Sequence, residues 1–171
     1  SDLGCKELTF EHYAREFIPK AFFDQSVSDD KKQEVISLLA AKLGEIRDNE
    51  DVRQALANTP LIKCRDSAYR KPEEAYFDPE MILDAPSEQP DLPEHQRDAV
   101  RDLLLWLGVA EGPRPGDVAR HITSLLSSPP DEGARNKIRK IFGYLVKCLK
   151  IDSGLRADLH DLRDLAWLPA V

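Results

Sequence analysis

The sequence predicts a mainly α-helical protein: a helical repeat segment of about seven to eight helices, with one small β-hairpin near residues 61–71. Three observations lead to this class. Apolar residues recur at spacings of three and four along most of the chain. Strand-like character is confined to one short stretch bounded by turn residues. Pieces of the first half also return in the second at a nearly constant offset.

The first helix starts at Thr9, a side chain suited to capping, and runs to Ile18 with Phe10, Tyr13, Ala14 and Phe17 along one face; Pro19 marks its end. Ser28 opens a longer helix in which Asp29 and Asp30 complement the positive end of the dipole. Its apolar positions are Val35, Leu38, Leu39, Leu43 and Ile46, and Gly44 is suited to a left-handed cap. A short third helix spans about Asn49 to Ala57.

Leu61-Ile62-Lys63-Cys64, the turn Arg65-Asp66-Ser67-Ala68 and Tyr69-Arg70-Lys71 then read as a hairpin, followed by one helical turn starting at Pro72. Pro86, Pro90 and Pro93 make the acidic stretch from Asp84 to Glu94 an extended connector, because proline removes amide donors and turns its predecessor away from helix.

Helices resume at Glu94. The first ends in Leu103-Leu104-Leu105-Trp106-Leu107, apolar on every side and hence buried all round, with Gly108 at the stop position. Pro115 fits the first turn of a helix carrying Val118, Ile122, Leu125 and Leu126, which Pro129-Pro130 ends. Asp131 or Glu132 begins a helix to about Leu149 with Ile138, Ile141, Phe142, Leu145 and Leu149 as its stripe, and Leu155, Leu159, Leu162 and Ala166 define a last helix.

Leu3-Gly4 precedes a helix that carries Ile18, and Leu107-Gly108 precedes one that carries Ile122, so both the Leu-Gly pairs and the isoleucines keep an offset of 104. Leu56-Ala57 through Pro60 returns as Leu165-Ala166 through Pro169 at an offset of 109. The implied organisation is a first unit over 1–84, a proline-rich connector over 85–93 and a second, truncated unit over 94–171, as in a piece of a longer polypeptide.

Of 171 residues, 42% are hydrophobic and 32% charged, enough apolar material for a core without disulfide or metal support. No apolar run approaches the length of a membrane span, and the first residues lack the pattern of a signal peptide, so a cytoplasmic protein with no membrane partner is expected. Cys5, Cys64 and Cys148 form no CxxC pair and have no histidine at ligand spacing, and they read as structural thiols. Glycine-rich phosphate loops, HExxH and GxSxG are absent, so no catalytic, cofactor-binding or metal residue is assigned. Of His12, His95, His121 and His160, the last has the richest surroundings. With Asp164 or Asp161 it would supply the base of an alternative, enzymatic reading, although the same pattern describes a solvated helix face. His121 reads as a packing or boundary residue.

Against a net charge of −7, six basic residues and no acid fall between Ala134 and Lys150. Lys137, Lys140, Tyr144 and Lys147 lie within roughly 80° on a helix, a candidate face for an acidic protein partner or an anion. The helix over 135–150 is thus an alternative anion or nucleic-acid site, with nucleic acid disfavoured by the overall charge. Tyr69, Arg70 and Tyr76 alternate aromatic and charged character around Pro72 and form a second candidate contact, at the hairpin.

The stretch Thr59-Pro60-Leu61-Ile62-Lys63-Cys64-Arg65-Asp66-Ser67-Ala68-Tyr69-Arg70-Lys71-Pro72-Glu73-Glu74-Ala75-Tyr76, then a proline-rich connector and a helix ending Trp106-Leu107-Gly108-Val109, resembles the repeating region of sacsin and large sacsin-like proteins. Trp167-Leu168-Pro169-Ala170-Val171 resembles the opening of the next such element. The family's hairpin usually turns on Asp-Gly, where this chain has Asp66-Ser67. Its GHKL-type ATPase motifs cannot be located here, so no ATPase residue carries over. The resemblance implies a non-catalytic scaffold or protein-interaction segment of a chaperone-like multidomain protein, whose partners include other domains of the same polypeptide.

Overall fold

The computed structural model describes residues 8–78, 82–83, 88–92, 96–126 and 132–151. The expected last helix and the residues around His160 lie outside these, as do His95, Cys5, Pro86, Pro93 and Pro129-Pro130. The chain is mainly helical with one two-stranded antiparallel hairpin, the class the apolar spacing predicts. The chain divides into two compact units, one over Ser1–Phe77 and Pro86–Glu111 and the other over Asp78–Ala85 and Gly112–Val171. The helix expected to open the second repeat therefore belongs to the compact unit built from the first helices. No helix among the described residues is long and apolar enough to cross a membrane.

In the first unit, α1 (Phe10–Glu16) begins at Thr9, whose hydroxyl accepts the His12 N–H at 3.2 Å. It stops two residues before the expected end. Pro19 does not close this helix; it sits in the first turn of α2 (Ile18–Phe23), where its missing N–H is not needed. After Ser28, α3 (Asp29–Ala41) carries both acids in its first turn, and α4 (Leu43–Ile46) continues it beyond a break at Lys42. Gly44 is helical within α4, so the left-handed cap expected there does not form. α5 (Glu50–Ala57) starts at Asn49, whose side-chain oxygen accepts the Val52 N–H at 3.2 Å.

α1 packs on α5, and α6 (Arg97–Leu107) packs on both α3 and α5. Ile18, Leu39, Ile46, Leu56 and Leu103 are fully enclosed in this core. Burial of each such side chain stabilises the fold by about 1.5–3 kcal/mol. Leu38 is exposed rather than central, whereas Lys32 and Ile36 turn inward. On α6, Leu103, Leu104 and Leu107 are buried and Leu105 and Trp106 half-buried, so the last turn is not covered all round. Gly108 adopts φ 101°, and the Val109 N–H reaches the Leu104 carbonyl at 3.0 Å, closing α6 in a Schellman motif.

β1 (Ile62–Lys63) pairs with β2 (Tyr69–Arg70), Ile62 opposite Arg70 and Lys63 opposite Tyr69. A 3₁₀ turn (Pro72–Glu74) follows as expected, with the Glu74 carboxylate accepting the Lys71 N–H at 2.9 Å. The connector is more than a spacer where it is described. Residues 88–92 run antiparallel along the other edge of β1. There the Arg65 N–H donates to Gln89 O at 3.0 Å and the Asp91 N–H to Lys63 O at 2.9 Å. Pro90, opposite Cys64, is tolerated because an edge strand does not need its amide donor.

In the second unit, α7 (Pro115–Leu126) packs on α8 (Glu132–Ile151). Val118 and Ile122 on α7 and Ile141 and Leu145 on α8 are buried, four of the positions the apolar spacing marks as core. Tyr144 donates its hydroxyl hydrogen to the Pro113 carbonyl at 2.9 Å, joining α8 to the segment that precedes α7.

Candidate functional site

α3 presents Asp30, Gln33, Glu34 and Ser37 on one face, the spacing that aligns polar side chains along successive turns. Facing them are Lys63 on β1, Asp91 and Leu92 on the paired edge segment, and Gln96 at the start of α6. Between the two walls runs an open groove of about 560 Å³, within the size range of ligand sites.

Lys63 does not leave the groove neutral. Its ammonium bonds Asp29 at 3.0 Å, just beyond the rim, an ion pair that raises the Lys63 pKa and lowers that of Asp29. Asp30, Glu34 and Asp91 make no ion pair among the described residues. The groove therefore carries net negative charge over a partly apolar wall. Ser37 is a hydroxyl without a histidine among the described lining residues, so nothing there activates it as a nucleophile.

A second concavity of about 380 Å³ is lined by Glu11, Gly44, Glu45, Asp48, Asn49, Glu50 and Asp51. Lys42 neutralises Glu45 at 2.6 Å and Arg53 neutralises Glu50 at 3.3 Å. Among the described residues, no three His, Cys, Asp or Glu side chains are grouped to hold a metal ion. Asp78, a buried carboxylate, is already engaged: Oδ1 accepts the Ile82 N–H and Oδ2 the Leu83 N–H, each at 2.8 Å.

The hairpin residues are drawn into structural roles. Tyr69 is half-buried, edge-on to Phe22 at 5.9 Å, with the Lys32 ammonium 5.2 Å from its ring centroid. Burial raises its pKa. Arg70 is occupied by Asp66, and Tyr76 is only 1% exposed. Tyr76 thus corrects the expectation of an aromatic offered to a partner: β-bridge pairing with Ala110 carries its backbone inward, and its ring goes with it.

On α8, Lys140 and Lys147 are exposed, while Lys137 and Tyr144 are half-buried and the Tyr144 hydroxyl is tethered to the Pro113 carbonyl. His121 is half-buried and His12 exposed, its ring edge-on to Phe17 at 6.0 Å. Cys64 is buried with its pKa raised by desolvation, as fits a structural thiol, and Cys148 is half-buried. His160, Asp161 and Asp164 lie outside the described residues. The polar side chains of α3 that line the groove were not singled out in the sequence, and the opposite wall comes from a connector that periodicity leaves unplaced.

No family model matches the chain, and comparison with curated proteins and with solved structures yields no match.

Proposed function

We propose that this chain is a non-catalytic scaffold or protein-interaction segment of a larger, chaperone-like polypeptide of the sacsin-like kind. The observation that carries the reading is the recurrence of helical blocks with their buried positions. Shifted by 104, the span of α1 and α2 falls on 114–127, where α7 runs, and the span of α3 and α4 falls on 133–150, where α8 runs. Ala14 and Ile18 then coincide with Val118 and Ile122, and all four are enclosed. The hairpin supports the same reading: Ser67, at φ 65°, occupies the left-handed position where the family's turn usually has glycine.

Stacked repeats derive stability from their neighbours. Two copies of the chain joined head to tail are therefore expected to melt several degrees above a single copy. Identical melting would count against a repeat scaffold.

The basic face of α8, with Lys140 and Lys147 exposed, favours a second reading in which an acidic partner or anion docks there. Salt-sensitive retention on heparin that is lost in Lys140→Gln/Lys147→Gln would support it; passage of the native chain through the column at low salt would remove it.

A further inference from the structure

We propose that the exposed face of α8 docks an acidic helix of a partner protein, laid along Gly143 between two rows of cations. The proposal deepens the reading of α8 as a basic docking face and rests on it. Three observations on α8 select this occupant.

At ~100° per residue, Arg135 and Arg139 lie on one side of Gly143, about 80° and 40° from it, and Lys140 and Lys147 lie on the other, about 60° and 40° away. All four side chains are exposed, and Arg135 and Arg139 make no ion pair among the described residues. The only acid on α8 is Glu132, in its first turn. Gly143 is exposed in mid-helix, where glycine weakens a helix, and a Cβ added to it would meet nothing. No packing among the described residues calls for this glycine, and a bare strip of backbone between charged rows lets a second helix approach closely. Val146, 48% exposed on the same face, adds an apolar contact.

From Arg135 to Lys147 is about 18 Å along the axis, a little over three helical turns. A partner helix with carboxylates three and four positions apart presents them along both sides of its contact seam over that length. A small anion meets only part of these rows. An anionic bilayer needs an apolar face, and the apolar residues Ile141 and Leu145 of α8 are already buried. A nucleic acid brings its phosphates against a chain whose net charge is −7.

The test titrates the intact chain by calorimetry with a lactam-stapled alanine-glutamate helix, its glutamates flanking an alanine seam, and with a peptide of equal charge broken by prolines. The stapled helix is expected to bind at least about tenfold more tightly than the broken peptide. Arg135→Gln/Arg139→Gln should weaken its binding about tenfold. Lys31→Gln/Arg47→Gln, which removes the same charge from exposed positions of the first unit, should change it less than about twofold. Gly143→Leu should block binding. Gly143→Ala should weaken it while raising the melting temperature, a combination that loss of folding does not produce.

No binding by the native chain, equal affinity for the two peptides, equal loss in both double variants, or unchanged affinity in Gly143→Leu would each overturn the proposal. So would an oligothymidylate or phosphatidylserine vesicles bound as tightly as the stapled helix with the same dependence on Arg135 and Arg139, which would assign the face to a nucleic acid or a membrane. Retention of the native chain on heparin without binding of the stapled helix leaves the basic face standing and removes the helical partner. Absence of both removes the face as a docking site, so the two failures are read separately.

Discussion

Arg70 grips Asp66 with two parallel hydrogen bonds, Nη1 to Oδ1 at 2.7 Å and Nη2 to Oδ2 at 2.6 Å, tying β2 to the turn that precedes it. The paired guanidinium, helped by the Ala68 N–H, lowers the Asp66 carboxyl from 3.8 to about 2. A depressed folded-state pKa contributes stability that is fully present above 3.8 and is lost as pH falls through about 2. Carboxyl-carbon NMR should show Asp66 titrating near that lower value, and Arg70→Ala should return it to the ordinary carboxylate range. An unchanged midpoint in Arg70→Ala would mean that the pair does not set it.

Ser67 is a non-glycine residue in the left-handed region, at φ 65°, and its side chain is exposed. Cβ crowding there outweighs the chain entropy that serine saves. Ser67→Gly should therefore raise stability by about 0.5–1 kcal/mol, read from urea midpoints with the slope unchanged. A lower midpoint would show that the serine is held there favourably.

Trp106 is bound at two points. Its indole N–H donates to the Arg47 carbonyl at 3.1 Å, and its own carbonyl accepts from Arg53 Nε at 2.9 Å. Trp106→Phe keeps the backbone contact but removes the indole donor, which should cost about 1–2 kcal/mol. Leu103→Ala, which opens a void at a fully enclosed site, should cost about 2–5 kcal/mol. If the two variants lie in the reverse order in denaturant, the core is not centred on α6.

Gly112 faces the Tyr144 hydroxyl so closely that an added Cβ would overlap it. Gly112→Ala should cost about 1–3 kcal/mol by displacing the bond from Tyr144 to Pro113. In a Tyr144→Phe background, where that hydroxyl is gone, the same substitution should cost measurably less. Additive losses in the double-mutant cycle would place the strain elsewhere.

Several elements were legible because their causes are local. Thr9 and Asn49 cap helices through bonds to amides three residues on, Gly108 takes the left-handed angle that a helix stop needs, and Pro72 opens its turn with a ring that already has the required φ. Gly44 misled because a glycine after an apolar run suits a cap and a continuing turn alike. There the chain resumes helix from Leu43, burying Leu43 and Ile46 in the core. Pro19 misled for a related reason: proline suits the space after one helix and the first turn of the next.

The candidate site was half visible. The polar stripe of α3 follows from helical spacing, and the basic face of α8 from the same rule. Nothing near residue 91 says that its carboxylate faces Glu34 across a groove, because that meeting depends on the connector pairing with β1 through backbone groups that every residue type carries. Tyr76 shows the converse: its neighbours are those of an exposed loop, yet pairing of its backbone with Ala110 buries it.

Short-range rules thus specify where helices start and stop, where the hairpin turns, and which face of each helix is apolar, since each depends on side chains within a few positions of one another. Which polar faces become walls of a common groove, and which aromatic or charged groups are enclosed, is set by contacts between segments far apart in the chain. Those contacts form through non-directional burial and generic amide pairing, which leave no mark at any single position.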